Sequence, residues 1–131
     1  MLRIEGIQHL ETAIEGALDE TAALPSVIDL AARLHPTPAV GGAPRAAAVA
    51  WIERCEGLDR SWYAGPLGFV DREGGGELRV ALRSALVRSH GPSDDALLFA
   101  GSGIVADSEP DRELEETRIK LRALLAPLTE I

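Results

Sequence analysis

Three side chains near the C-terminus have the types and spacing for ionic chemistry. Glu113, Glu116 and Lys120 stand at i, i+3 and i+7, and on a helix turning about 100° per residue they form one stripe. Two carboxylates one turn apart, at the border of a buried face, suit a hard divalent cation such as magnesium. A lysine one turn further could neutralise a ligand carboxylate or pair with Glu116. The same spacing also serves a solvated face carrying ion pairs, and on spacing alone that plainer reading is favoured.

Other candidates are more ambiguous. Residues 100–105 read AGSGIV, and Gly101 and Gly103 would let a ligand approach the backbone. A bulge or the close packing of another backbone explains them more simply. The stretch is no dinucleotide fingerprint, for it has no third glycine, and REGGGE has no following Lys-Ser/Thr and reads as a turn. Arg79 and Arg83, four residues apart on one strand, share a face. Turned inward, one could grip a carboxylate bidentately; turned outward, the two would be an ordinary solvated pair. Tyr63, the only tyrosine, could offer its hydroxyl to a ligand or simply pack with it at the surface. His9 and His35 have no second histidine at metal spacing, so neither suggests zinc. Cys55 reads as a small core residue. No Gly-x-Ser-x-Gly elbow and no Cys/His pair suggests a nucleophile.

These residues must be positioned by elements that the pattern predicts. Residues 3–18 read as an extended segment on Gly6, Thr12, Ile14 and Gly16. A helix is expected over about 25–34, capped by Ser26, with Val27, Leu30, Ala31 and Leu34 at helical spacing. HPTPAVGGAP (35–44) is a fixed, proline-locked loop. A second helix follows Pro44, with Ala48, Val49, Ile52 and Cys55 on one face. WYAGPLGFVD, ELRVALRSALVRS and ALLFAGSGIVA then read as three strands, the first two a hairpin through REGGG and the last two joined by HGPSDD. A final helix over about 110–128, capped by Ser108, would pack through Leu114, Thr117, Leu121, Leu124, Leu125 and Leu128. The fold class is therefore α+β, a mainly antiparallel sheet with helices packed on it.

Composition sets the outer bounds. The 131 residues are room for one domain, and 46% hydrophobic with 26% charged residues is ordinary globular usage. A net charge of −8 argues against nucleic acid or an anionic membrane as partner, though not against a small anion met by a local cation. One cysteine rules out an internal disulfide and a multi-thiolate metal site. No apolar run reaches the ~20 residues of a membrane span, and charges stand where a signal peptide would be apolar. A cytoplasmic protein is expected.

Taken in order, QHLET, LHPTPAVGGAPRAAA, WYAGPLGFVD, GELRVALRSALV and LFAGSGIVADSEPDRELEETRIKL resemble the C-terminal half of the catalytic domain of the chorismate-binding enzymes, and most of all the isochorismate synthases. The resemblance runs from about Ile7 to Leu125. It implies that Glu116 ligates magnesium with Glu113 in the same acidic shell, and that Lys120 sits near the substrate carboxylates. It implies that Arg83 and Tyr63 contact the enolpyruvyl carboxylate, that the backbone of Gly101, Ser102 and Gly103 lines the same anion site, and that His9 lies near the reacting edge of the ring. Ala39 stands where salicylate- and anthranilate-forming relatives usually carry threonine, which favours water addition without pyruvate loss. Gly41 replaces a usual cysteine or serine, and Ser102 an alanine.

The reaction implied is water addition at C2 of chorismate with loss of the C4 hydroxyl, giving isochorismate. A general base and a general acid are required, and in the family they belong to the N-terminal half, so no catalytic residue is assigned in this chain. The expected domain organisation is thus a single, incomplete chorismate-binding domain over 1–131, a fragment or the product of a truncated gene. Its expected partners are chorismate and isochorismate, with the missing N-terminal half or a second copy of the chain. A salicylate synthase or another chorismate-using relative, or a catalytically silent binding and assembly domain, is the alternative. The same isochorismate feeds menaquinone and siderophore formation, so the resemblance does not choose between these two pathways.

Overall fold

The computed structural model describes residues 2–4, 7–9, 13–19, 23–91 and 93–129. Two three-residue strands, β1 (Leu2–Ile4) and β2 (Ile7–His9), pair antiparallel with Leu2 opposite His9. The extended reading of the N-terminal stretch is met there, and residues 13–19 are irregular and exposed.

Helix α1 (Val27–Leu34) starts where the sequence predicts. Ser26 caps it through a reciprocal capping box with Asp29: the Asp29 N–H donates to Ser26 Oγ at 3.2 Å, and the Ser26 N–H donates back to the carboxylate at 2.9 Å. Two of the orphan donors of the first turn are satisfied this way. The proline-rich loop is less irregular than expected, because it contains a four-residue helix, α2 (Pro38–Gly41). Proline at its first position has the φ a helix start needs and no N–H to leave unpaired. Gly41 is buried there, and a Cβ on it would lie 2.8 Å from Pro36 Cβ, so a larger residue would require Pro36 or the loop to shift. Arg45 ties the loop to α1, donating from both terminal nitrogens to the Arg33 carbonyl.

Helix α3 (Arg45–Cys55) follows Pro44 as predicted. Ala48, Val49 and Ile52 are half-buried, but Cys55 is exposed in the last turn and is not a core residue.

The strands are antiparallel throughout, divided among the described residues into three two-stranded ladders. Strands β3 (Pro66–Val70) and β4 (Gly76–Val80) form the expected hairpin, with Gly68 opposite Leu78. The segment read as one strand over 77–89 is two. It breaks at Leu82–Arg83, where Arg83 takes φ 47°, before β5 (Ser84–His90) pairs with β6 (Ser93–Phe99). Arg79 and Arg83 therefore do not share a strand face; Arg79 is 83% exposed and bonds to Glu77 at 2.6 Å. Strand β6 ends at Phe99, so 100–105 is loop and not strand.

Helix α4 (Pro110–Thr129) packs against β6. Glu109 stands at the cap position, its carbonyl accepting from the Glu113 N–H at 3.1 Å, so the predicted cap Ser108 lies one residue too early. The half-buried side of α4 carries Glu113, Thr117, Lys120, Leu121 and Leu124, while Leu114, Leu125 and Leu128 of the expected packing stripe are exposed.

The core among the described residues is small: Ala64 and Phe99 are the buried apolar side chains. The chain presents 10888 Å² to solvent, against about 6,700 Å² for a self-contained folded chain of this mass. Leu67, Phe69 and Val70 on β3, Trp62 beside it, and Ile119 on α4 are all exposed. None of the described helices is long and apolar enough to cross a membrane.

Candidate functional site

A cleft of about 230 Å³ opens where α2, the turn before β3, and the loop after β6 meet, with α4 behind them. Its geometry starts from Tyr63. The Tyr63 N–H donates to the Arg60 carbonyl at 2.8 Å, and the Ala64 N–H to the Ala81 carbonyl at 2.8 Å. These bonds extend the β3–β4 ladder and fix the turn. The Tyr63 ring stacks on Phe99, centroids 5.3 Å apart and planes at 14°. Because Phe99 is buried at the end of β6, the tyrosine ring covers the point where the 100–105 loop departs. Its hydroxyl reaches Gly101 so closely that a Cβ there would lie 3.0 Å from the oxygen. Burial raises the Tyr63 phenol above the ordinary value of 10.0, while the neighbouring Arg60 charge opposes this and Glu56 adds to it.

Helix α4 holds the loop from the other side. Lys120 is 15% exposed and donates from Nζ to the Gly101 carbonyl at 2.9 Å. It also donates to Glu116 Oε1 one turn back, a pair in which Glu116 is 54% exposed. Glu113 has different partners. The Ser108 hydroxyl donates to its Oε1 at 2.7 Å and accepts the Val105 N–H at 3.0 Å. The Ser108 hydrogen bond, then that from Ser102, holds the Glu113 carboxyl below its ordinary value of 4.5, and the Lys120 charge acts in the same direction.

Six of the residues singled out in the sequence line this one cleft: Ala39, Tyr63, Gly101, Ser102, Gly103 and Lys120. Arg83 is half-buried in the break between β4 and β5, and the cleft is lined instead by its neighbour Leu82. His9 ends β2, and its side chain lies outside the described residues. Glu113 and Glu116 lie one turn apart on α4, as their spacing requires. Among the described residues, no three His, Cys, Asp or Glu side chains gather as a metal cluster.

Sequence reading missed Arg60 and Glu56, which line the same cleft. Arg60 donates to both Glu56 oxygens at 2.7 and 3.0 Å and to the Val40 carbonyl at 3.0 Å. Their i, i+4 spacing was the available signal, but it falls beyond the last turn of α3, where no helix face was expected.

An α+β chain with a small anion-sized cleft between a glycine-rich loop and a carboxylate-bearing helix belongs to a class with a known family. The model of the chorismate binding enzymes matches residues 1–129, and the chain belongs to that family. It is similar to the isochorismate synthase MenF of Bacillus subtilis, with 46% identity over 98% of this chain and 26% of the relative. It is likewise similar to the salicylate biosynthesis isochorismate synthase of Pseudomonas aeruginosa, with 47% identity over 98% of this chain and 26% of that protein. Among solved structures it resembles a chain assigned as the 2,3-dihydroxybenzoate-specific isochorismate synthase DhbC of Bacillus anthracis. The TM-score is 0.70 and the identity 39%, over 79% of this chain and 27% of that one. The chain thus spans about a quarter of the length of the curated relatives it matches.

Proposed function

We propose that this chain is the chorismate-binding C-terminal portion of an isochorismate synthase, acting with magnesium in the cytoplasm. The observation that carries the reading is the meeting of Ala39, Tyr63, the 101–103 backbone and Lys120 around one cleft beside two carboxylates, in a chain of the chorismate binding family.

Chorismate is a dianion with a ring to hold between its two carboxylates. In this reading Lys120 neutralises one carboxylate, the Tyr63 hydroxyl donates to the other, and Gly101 and Gly103 let the ligand approach without a Cβ in the way. Ala39 offers the ring an apolar wall with no hydroxyl. Arg83 and His9 retain the roles that the family resemblance implies, on the carboxylate and near the ring edge. Glu113 and Glu116 fit magnesium as hard oxygen donors one turn apart, since this ion is commonly held by one or two carboxylates and takes its other oxygens from water and substrate. When bound, it would offset the substrate's negative charge. Lys120 is engaged as a donor to two oxygens, which suits charge neutralisation and not proton abstraction. On the family resemblance, the base that activates water and the acid that protonates the departing hydroxyl come from the N-terminal half of the domain, and neither role is assigned to a residue of this chain.

A second reading of the same chain is an assembly domain, and the exposed apolar area favours it. A further cleft of about 580 Å³ among Trp62, Leu67, Leu86 and Phe99 is mainly apolar, and β3 is exposed along its whole length. Covering by the rest of a chorismate-binding domain, or by a second copy, would bury this surface.

Incubating the chain with chorismate and magnesium tests both readings, with binding followed by calorimetry and products by chromatography. Chorismate is expected to bind in a magnesium-dependent way, with binding lost in Glu116→Gln, and no isochorismate is expected to form. Absence of binding would overturn the ligand. Isochorismate formation, lost in Glu116→Gln, would mean that the chain completes its own site, alone or by self-assembly.

A further inference from the structure

The cleft contains one cation whose role neither the sequence motifs nor the proposed chemistry uses. Arg60 is 26% exposed and Glu56 28%, and each guanidinium nitrogen has a partner. Nε and Nη2 meet the two carboxylate oxygens of Glu56, and Nη1 meets the Val40 carbonyl. That carbonyl belongs to α2, next to Ala39. The guanidinium carbon lies 5.9 Å from the Tyr63 ring centroid, within cation–π range. The Arg60 carbonyl in turn accepts the Tyr63 N–H. One side chain therefore joins the end of α3, the wall of α2 and the only tyrosine of the chain.

We infer that Arg60, oriented by Glu56, is a positioning residue of the ligand cleft, setting the separation between the Ala39–Val40 wall and the Tyr63 hydroxyl. This rests on the chorismate-binding reading. Backbone bonds to Ala81 and the Phe99 stack hold the β3 side of the turn that bears Tyr63, and Arg60 is the side chain that ties the turn to α2. Ser61 and Ala64 take φ of 49° and 65°, values that side-chain-bearing residues seldom adopt without support from their surroundings. The neutralised Glu56–Arg60 pair leaves no net charge of its own to attract the ligand, so its contribution is geometric. Lysine has the charge of arginine but not its planar fork, and cannot make the bidentate contact and the third bond together.

Two readouts separate this inference from the reading beneath it. With one tyrosine in the chain, tyrosine labelled at the ring gives a single NMR signal that reports Tyr63 without any ligand. In Arg60→Met that signal is expected to move, and chorismate affinity with magnesium to fall about tenfold or more, the scale of losing one charge-assisted hydrogen bond. Arg60→Lys is expected to restore less than half of the lost binding free energy, and Glu56→Gln, which keeps one acceptor oxygen, to fall between wild type and Arg60→Met. Glu56→Gln also keeps the question answerable should Arg60→Met fail to fold. An unmoved Tyr63 signal would overturn the inference. So would a moved signal with unchanged affinity, which would make Arg60 structural only, and full rescue by Arg60→Lys, which would make it a simple charge. If the wild-type chain binds no chorismate, the chorismate reading falls and the inference with it.

Discussion

At the scale of single residues, the cleft depends on one missing methyl group. Gly101 has the Tyr63 hydroxyl above it and the Lys120 ammonium on its carbonyl, so this position is read from both sides. Gly101→Ala would put a Cβ 3.0 Å from the phenol oxygen, so the ring or the loop would have to shift by a few tenths of an ångström. The expected result is a chorismate affinity roughly tenfold weaker, with the loss reduced when Tyr63→Phe is present as well; a double-mutant cycle by calorimetry measures that coupling. Additive losses would mean that the two groups do not meet. The types of these residues were legible in the sequence, but their meeting was not. Tyr63 and Gly101 are 38 positions apart, and only the β3–β4 clamp and the end of β6 bring the ring over the loop. Arg60 escaped notice for a related reason, since its partners lie on three segments and local spacing reports only Glu56.

At the scale of elements, the 100–108 loop and α4 form one unit held by hydroxyl-to-carboxylate bonds. Glu113 titrates below its unfolded value, so the stability it contributes is complete above about 4.5 and is lost as pH falls through the lowered folded value. Ser108→Ala removes the largest cause of that lowering. The Glu113 carboxyl, followed by NMR, is then expected to titrate closer to 4.5, and acid unfolding to begin at higher pH than in wild type. An unchanged Glu113 titration would show that Ser102 and Lys120 suffice. The three longer helices were legible, since Ser26 marks α1, Pro44 precedes α3 and Pro110 opens α4, while the four-residue α2 inside the proline-rich loop was not. The break at Arg83 was not, because apolar alternation runs through it and periodicity carries no sign of φ. The α4 stripe was misread in part for another reason. Leucine spacing reports the face fitted for burial, and Leu114, Leu125 and Leu128 have that spacing yet stand exposed. Burial needs a neighbour, and a helix sequence does not encode the neighbour's position.

At the scale of the whole molecule, the antiparallel α+β layout was legible, while the division of the described residues into three separate ladders was not. Each hairpin is encoded locally by its turn and alternation, whereas joining hairpins into a sheet needs edge partners that no short-range pattern reveals. The exposed apolar face has a direct test. The chain is expected to bind an environment-sensitive apolar dye strongly and to give a concentration-dependent mass in sedimentation, with Phe69→Asp weakening both. A dye-silent monomer at all concentrations would count against a face that needs covering.

That face also changes what substitution data on this chain would mean. Leu67 and Phe69 are 69% and 62% exposed, so exchanging them for polar residues should leave the melting temperature of the dilute, monomeric chain nearly unmoved. Once a partner covers them, the same exchanges would carry the penalties of core positions. A tolerance map measured on the chain alone would therefore record as permissive the positions where natural variation should be most restricted.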